Sequence, residues 1–247
     1  MRLVLLGTAG YHPNDRRHTL CMVVPQYGIM FDMGTGAYRA ARYLQTPELD
    51  VFLSHAHLDH VVGLTYLLEL ARVHPLGRVT VHGEAAKLAA IEEHLFAPLL
   101  FPKRPAFDLA PLTDSTLALP DGGRLSWFPL VHPGGSVGYR LDWPGHSMAY
   151  VTDTTASAEA AYVEQIRGVN LLLHECYFSD AQADWAAMTG HSHTTPVAEL
   201  ARRAEVGRLV LTHINPLALG DDPLGLAAAR TIFPATDLAW DEMVLEF

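Results

Sequence analysis

Within six positions, His55-Ala56-His57-Leu58-Asp59-His60 gathers three histidines and one aspartate. The apolar stretch 50–54 just before it has the pattern of a strand, so residues two apart share a face and His55 and His57 can grip one ion. Asp59 and His60 then fall in the turn leading into a helix predicted over residues 61–73, where apolar side chains recur at helical spacing. Neutral imidazoles together with a carboxylate are the donors that a borderline cation such as Zn²⁺ prefers. A complete site needs further donors from distant parts of the chain.

Three candidates each follow an apolar strand directly. His132 comes after residues 127–131, Asp153 after 149–152 and His213 after 209–212, which puts each at a sheet edge rather than in a core. Singly, each is more often a turn or capping residue. Beside the first cluster they complete a metal-ligand set of His55, His57, Asp59, His60, His132, Asp153 and His213.

The remaining pattern supplies the frame. Strands are predicted over 2–6, 19–24, 28–32, 50–54 and 78–82, and again over 124–131, 136–142, 147–152, 171–174, 208–212 and 243–247. Helices are predicted over 36–44, 61–73, 84–96, 197–204 and 224–232, with Thr195 as the N-cap of the fourth and Pro196 in its first helical position. The proline-bearing stretch 97–120 is expected to be mostly irregular and surface-lying, as a lid or a dimer contact. Two β-rich halves with helices outside suggest one domain over residues 1–247, an α/β four-layer αβ/βα sandwich of two mixed sheets whose loops gather at one edge.

The 247 residues are 49% hydrophobic and 18% charged, with a formal net charge of -10, so no broadly basic surface is expected to wrap extended nucleic acid. Two distant cysteines, Cys21 and Cys176, make no disulfide framework and suit a reducing cytoplasm. The opening apolar run is too short for a signal peptide, and no stretch is long enough for a membrane span.

The His-x-His-x-Asp-His cluster followed by separate His, Asp and His resembles the metallo-β-lactamase superfamily over nearly the whole chain. The resemblance implies that His55, His57 and His132 hold one divalent metal, that Asp59, His60 and His213 hold a second, and that Asp153 bridges them. Zinc is the expected metal, with manganese or iron as alternatives. An aspartate rather than a cysteine at the bridge resembles the binuclear hydrolases, and Cys176 occupies no ligand position.

Leu5-Leu6-Gly7-Thr8-Ala9-Gly10 and Phe31-Asp32-Met33-Gly34 resemble the opening strands of ribonuclease Z and its phosphodiesterase relatives. His174-Glu175-Cys176-Tyr177 resembles that branch's His-Glu-Ala-Thr segment, and Gly190-His191-Ser192-His193-Thr194 its His-Ser-Thr segment. Aligning the following helix without a gap gives His191 the catalytic role, whereas pairing on His-Thr alone would choose His193; we favour His191. Glu175 would orient it by accepting a ring N–H. Asp59, besides being a ligand, would hold the proton of the attacking water. Arg16, Arg17 and His18 would either steer an anionic substrate or form a solvated turn.

Asp153 follows His132 by only 21 positions, so the long arm with which tRNA-processing ribonuclease Z grips its substrate is missing. The expected activity is hydrolysis of a small or cyclic phosphodiester or an RNA end by a water that two cations activate. Hydrolysis of a lactone, thioester or carboxylic ester is the alternative. Relatives commonly form dimers, which implies a homodimer.

Overall fold

Arg2–Gly7 (β1), Cys21–Val24 (β2) and Ile29–Met33 (β3) are nearly continuous apolar runs, and their strands are buried at almost every position, as strands covered on both faces must be. They belong to the first of two units into which the chain divides, Met1–Thr113 with Trp240–Glu246; the second is Asp114–Ala239 with Phe247. The computed structural model describes residues 1–247.

The first unit adds Glu48–Phe52 (β4), Arg78–Gly83 (β5), Asp108–Pro111 (β6) and, from the far end of the chain, Met243–Glu246 (β14). Its seven-stranded sheet runs β14-β1-β2-β3-β4-β5-β6, antiparallel from β14 to β3 and parallel from β3 to β6. One face packs Val4, Leu6, Met30 and Val51 against Ala37, Leu64 and Leu67 from helical segments. These segments are Leu58–Val61 (α1), Leu67–Val73 (α2) and Ala85–Ala90 (α3), with 3₁₀ turns over Thr35–Arg42 and Val62–Tyr66.

The helix predicted over 61–73 is therefore broken. A Cβ on Gly63 would stand 2.5 Å from the Gly34 carbonyl oxygen and 2.6 Å from that of Met33, so the chain lies hard against the end of β3. The tighter 3₁₀ turn accommodates this approach before α2 resumes. The segment 36–44 is likewise a 3₁₀ helix, and 84–96 divides into α3 and a π-turn over Ile91–Leu95.

The second unit's sheet contains Thr116–Ala118 (β7), Arg124–Leu130 (β8), Ser136–Trp143 (β9), His146–Val151 (β10), Leu171–Glu175 (β11), Arg208–Thr212 (β12) and Thr236–Leu238 (β13). Its order is β13-β12-β11-β10-β9-β8-β7, antiparallel from β7 to β10 and parallel from β10 to β13. Three helices accompany it: Ala183–Thr189 (α4), Thr194–Arg203 (α5) and Leu226–Ile232 (α6). Val197, Leu200 and Ala201 of α5 and Ala229 of α6 pack on Val151, Leu172 and Leu211.

The stretch 97–120 is mostly irregular, although β6 and β7 lie within it. Each is the edge strand of its sheet, where a single row of hydrogen bonds suffices and Pro111 is tolerated. One expectation is corrected: Thr195 is not the N-cap of α5, nor Pro196 its first helical residue. The helix starts at Thr194 with His193 in the capping position, and Asp180 accepts both the Thr195 N–H and its hydroxyl at 2.8 and 2.7 Å. Pro196 is then the third helical residue, where its missing N–H costs nothing.

The α/β class with two mixed sheets is borne out. No helix is long and apolar enough to cross a membrane. The parallel strands position the chemistry. In the first unit β3 and β4 end on the same edge, delivering Asp32 and the His55 segment; in the second, β10, β11 and β12 deliver Asp153, Glu175 and His213 to one edge.

Candidate metal centre

In the first unit the rings of His55 and His57 lie 4.4 Å apart edge to face, and those of His55 and His60 lie 4.3 Å apart. His55 and His60 are buried, whereas His57 is exposed. His60 Nδ1 donates to Asp32 Oδ2 at 2.8 Å, which leaves Nε2 outermost and 3.3 Å from Asp59 Oδ2. The Ser54 hydroxyl donates to Asp32 Oδ2 at 2.8 Å and so accepts from His55 Nδ1 at 2.9 Å. Both buried imidazoles are thereby fixed in the tautomer that presents Nε2 as a lone pair, the form a metal requires.

The second unit carries its own set of donors. His132 Nδ1 donates to the Gly190 carbonyl at 3.1 Å, and its Nε2 stands 3.5 Å from Asp153 Oδ2. The other oxygen, Asp153 Oδ1, is 3.4 Å from His213 Nε2 and accepts the Thr152 hydroxyl. The two oxygens of this carboxylate thus face two different imidazoles. Asp32, Asp153 and His213 all have positive φ, at 52°, 49° and 53°. Left-handed backbone at non-glycine residues costs roughly 1–3 kcal/mol each and clusters at functional sites.

His191 joins this second set, since its ligand atom lies within 4.8 Å of those of Asp153 and His213. Its Nδ1 donates to Glu175 Oε1 at 3.0 Å. The fully buried Glu175 also accepts the backbone N–H groups of Thr154, Tyr177 and Ser192 at 3.0, 3.2 and 3.2 Å. The His191 ring stacks on Tyr177 with centroids 4.7 Å apart. His193 is directed elsewhere, with Nδ1 on Asp180 Oδ1 at 2.7 Å.

Other candidates are not brought to the donors. His174 is buried, its Nδ1 donating to the Glu175 carbonyl and its Nε2 accepting from the Tyr162 hydroxyl, and burial lowers its pKa. Burial pushes the Cys176 thiol well up, so it is no thiolate ligand. The Arg17 guanidinium is half-buried on Thr8, and His18 is held by Thr35. Reading the residues alone missed Asp32, Ser54 and Tyr177. The signal for Asp32 was a carboxylate inside an otherwise apolar strand.

Two mixed sheets whose parallel strand ends carry this His/Asp set define a class. Residues 28–214 match the β-lactamase superfamily domain, and the chain belongs to that superfamily. Among curated relatives, ribonuclease Z of Archaeoglobus fulgidus is 26% identical, over 99% of this chain and 97% of its own. Ribonuclease Z of Salinibacter ruber is 30% identical, over 96% and 91%. Similar solved structures are the metallo-β-lactamase fold protein YhfI of Bacillus subtilis (TM-score 0.79, 20% identity, 99% of each chain) and human tRNase Z, short form (0.75, 22%, 100% and 99%). A diphosphatase of the PhnP family is also similar (0.74, 20%, 100% and 98%). The fold is thus the metallo-β-lactamase fold. The alignment to the Archaeoglobus protein spans 304 positions against 247 residues here, so that relative carries insertions this chain lacks. Between His132 and Asp153 this chain has only the hairpin of β9 and β10.

Proposed function

We propose that this protein is a binuclear metal-dependent phosphodiesterase acting on a small or cyclic phosphodiester or an RNA end. The observation that carries this reading is the Glu175–His191 pair, a ring fixed by a buried carboxylate beside Asp153 and His213. The names of the curated relatives, ribonuclease Z, support it.

The donor chemistry fits two ions of the zinc type. We assign His55, His57 and His132 to one ion and Asp59, His60 and His213 to a second, with Asp153 as the bridge. Divalent cations held there supply positive charge that lowers the pKa of water and offsets charge on phosphoryl oxygens.

The chain's own residues do the rest. Asp59 Oδ2 already accepts the Tyr11 N–H, and its carboxylate is the acceptor for the attacking water's proton. His191 Nε2, when protonated, donates to a non-bridging oxygen or to the leaving alkoxide, while Glu175 offsets the positive charge on the ring. A net charge of -10 and the short His132–Asp153 hairpin favour a compact substrate over a tRNA held along its length. Two buried free cysteines suit a reducing cytoplasm.

The test is turnover of bis(p-nitrophenyl) phosphate by zinc- or manganese-loaded protein, beside a lactone and a thioester. Phosphodiester turnover that disappears in Asp153→Ala supports the reading. Hydrolysis of the lactone or thioester with none of the phosphodiester overturns it.

A further inference from the structure

Tyr11 is 75% exposed, yet its backbone is held at φ 61° and its N–H donates to Asp59 Oδ2 at 2.7 Å. A tyrosine in the left-handed region is disfavoured relative to glycine or asparagine, and so exposed a ring gains little from burial. Stability therefore gives no reason for an aromatic side chain here. The loop that presents it is well braced. Asn14 Oδ1 accepts the N–H groups of Arg16 and Arg17 at 2.9 and 2.8 Å. The Arg17 guanidinium donates to Thr8, and Asp241 accepts from both Thr8 Oγ1 and the His18 N–H. The result is a hydrogen-bonded ledge with the Tyr11 ring beside His12 at 5.4 Å, on a residue whose backbone is bonded to Asp59 of the donor set.

We propose that Tyr11 is the specificity residue of this site, a platform on which the base of a nucleotide stacks while its phosphodiester lies at the Asp59 side of the donors. The inference rests on the phosphodiesterase reading and narrows its substrate class to nucleotides rather than bare sugar phosphates. A planar base offers a π-face to a phenol whichever base it is, so the ledge selects for the presence of a base and not for its identity. Because the loop is pre-ordered, little conformational entropy is lost when the base docks.

The experiment measures binding of AMP and of ribose 5-phosphate to the metal-loaded protein by calorimetry, in wild type, Tyr11→Ala and Tyr11→Phe, with metal content read for each. The expected result is that Tyr11→Ala weakens AMP about tenfold, on the order of one stacked base. Ribose 5-phosphate should bind all three proteins alike, and Tyr11→Phe should retain AMP. AMP binding that is unchanged in Tyr11→Ala overturns the stacking role and leaves the phosphodiesterase reading standing. An equal loss for both phosphates marks a loop or metal defect and also overturns it. A wild-type protein that binds neither phosphate overturns the phosphodiesterase reading and this inference with it.

Discussion

Asp32 Oδ2 accepts from two side chains at once, His60 Nδ1 and Ser54 Oγ, each at 2.8 Å. Through Ser54 it also reaches His55, so one buried carboxylate sets the ring orientation of two donors. Asp32→Asn, which keeps the shape but removes the charge, should lower zinc affinity about 10- to 100-fold. Chelator competition measures this, and an unchanged affinity would show that the donors hold their tautomers without Asp32.

His191 and His193 make opposite predictions. His191→Ala should reduce kcat on a phosphodiester by roughly 10²- to 10⁴-fold with metal content intact, and Glu175→Gln should follow it in direction. His193→Ala breaks only the link to Asp180 and should leave kcat close to wild type. Steady-state kinetics of the three variants separate these outcomes.

How much of this was legible in the sequence depends on the kind of signal. His132, Asp153 and His213 stand out because each ends an apolar strand, where a polar side chain has no packing reason to be. Asp32 was hidden for the opposite reason: it follows three apolar residues of β3 and ends the strand predicted over 28–32, so it looks like an ordinary strand end. The left-handed backbone at Asp32, Asp153 and His213 could not be read, since none is the glycine that usually marks it. β6 was concealed by Pro111, which an edge strand tolerates and a central one does not. The break after α1 arises from the contact of Gly63 with the end of β3, a tertiary effect that helical periodicity does not register.

Burial holds the His174 imidazole below its usual range, and Tyr162 donates to its neutral Nε2. The unfolded chain binds a proton here below about pH 6.5, while the folded one resists it. The stabilisation from this group is thus complete above about pH 6.5 and is lost as the pH falls through and below it. Replacing it by His174→Gln should flatten the decline in stability between pH 7 and 5 by at most about 1.4 kcal/mol per pH unit, one proton's worth. Urea denaturation at several pH values checks this, and parallel curves for variant and wild type would contradict it.

Cys21 and Cys176 are both buried, and burial pushes both thiols well up. Neither should react with a thiol reagent in the native protein, and both should react once it is unfolded. Labelling followed by mass measurement gives the count directly.

The central claim is that this metal-dependent phosphodiesterase needs two cations for activity. Its most direct test is to titrate metal-free protein with zinc while following bis(p-nitrophenyl) phosphate turnover. The predicted result is activity that rises until two equivalents per chain are bound and is abolished again by chelation. Turnover that persists without metal, or none with two equivalents bound, would contradict the account.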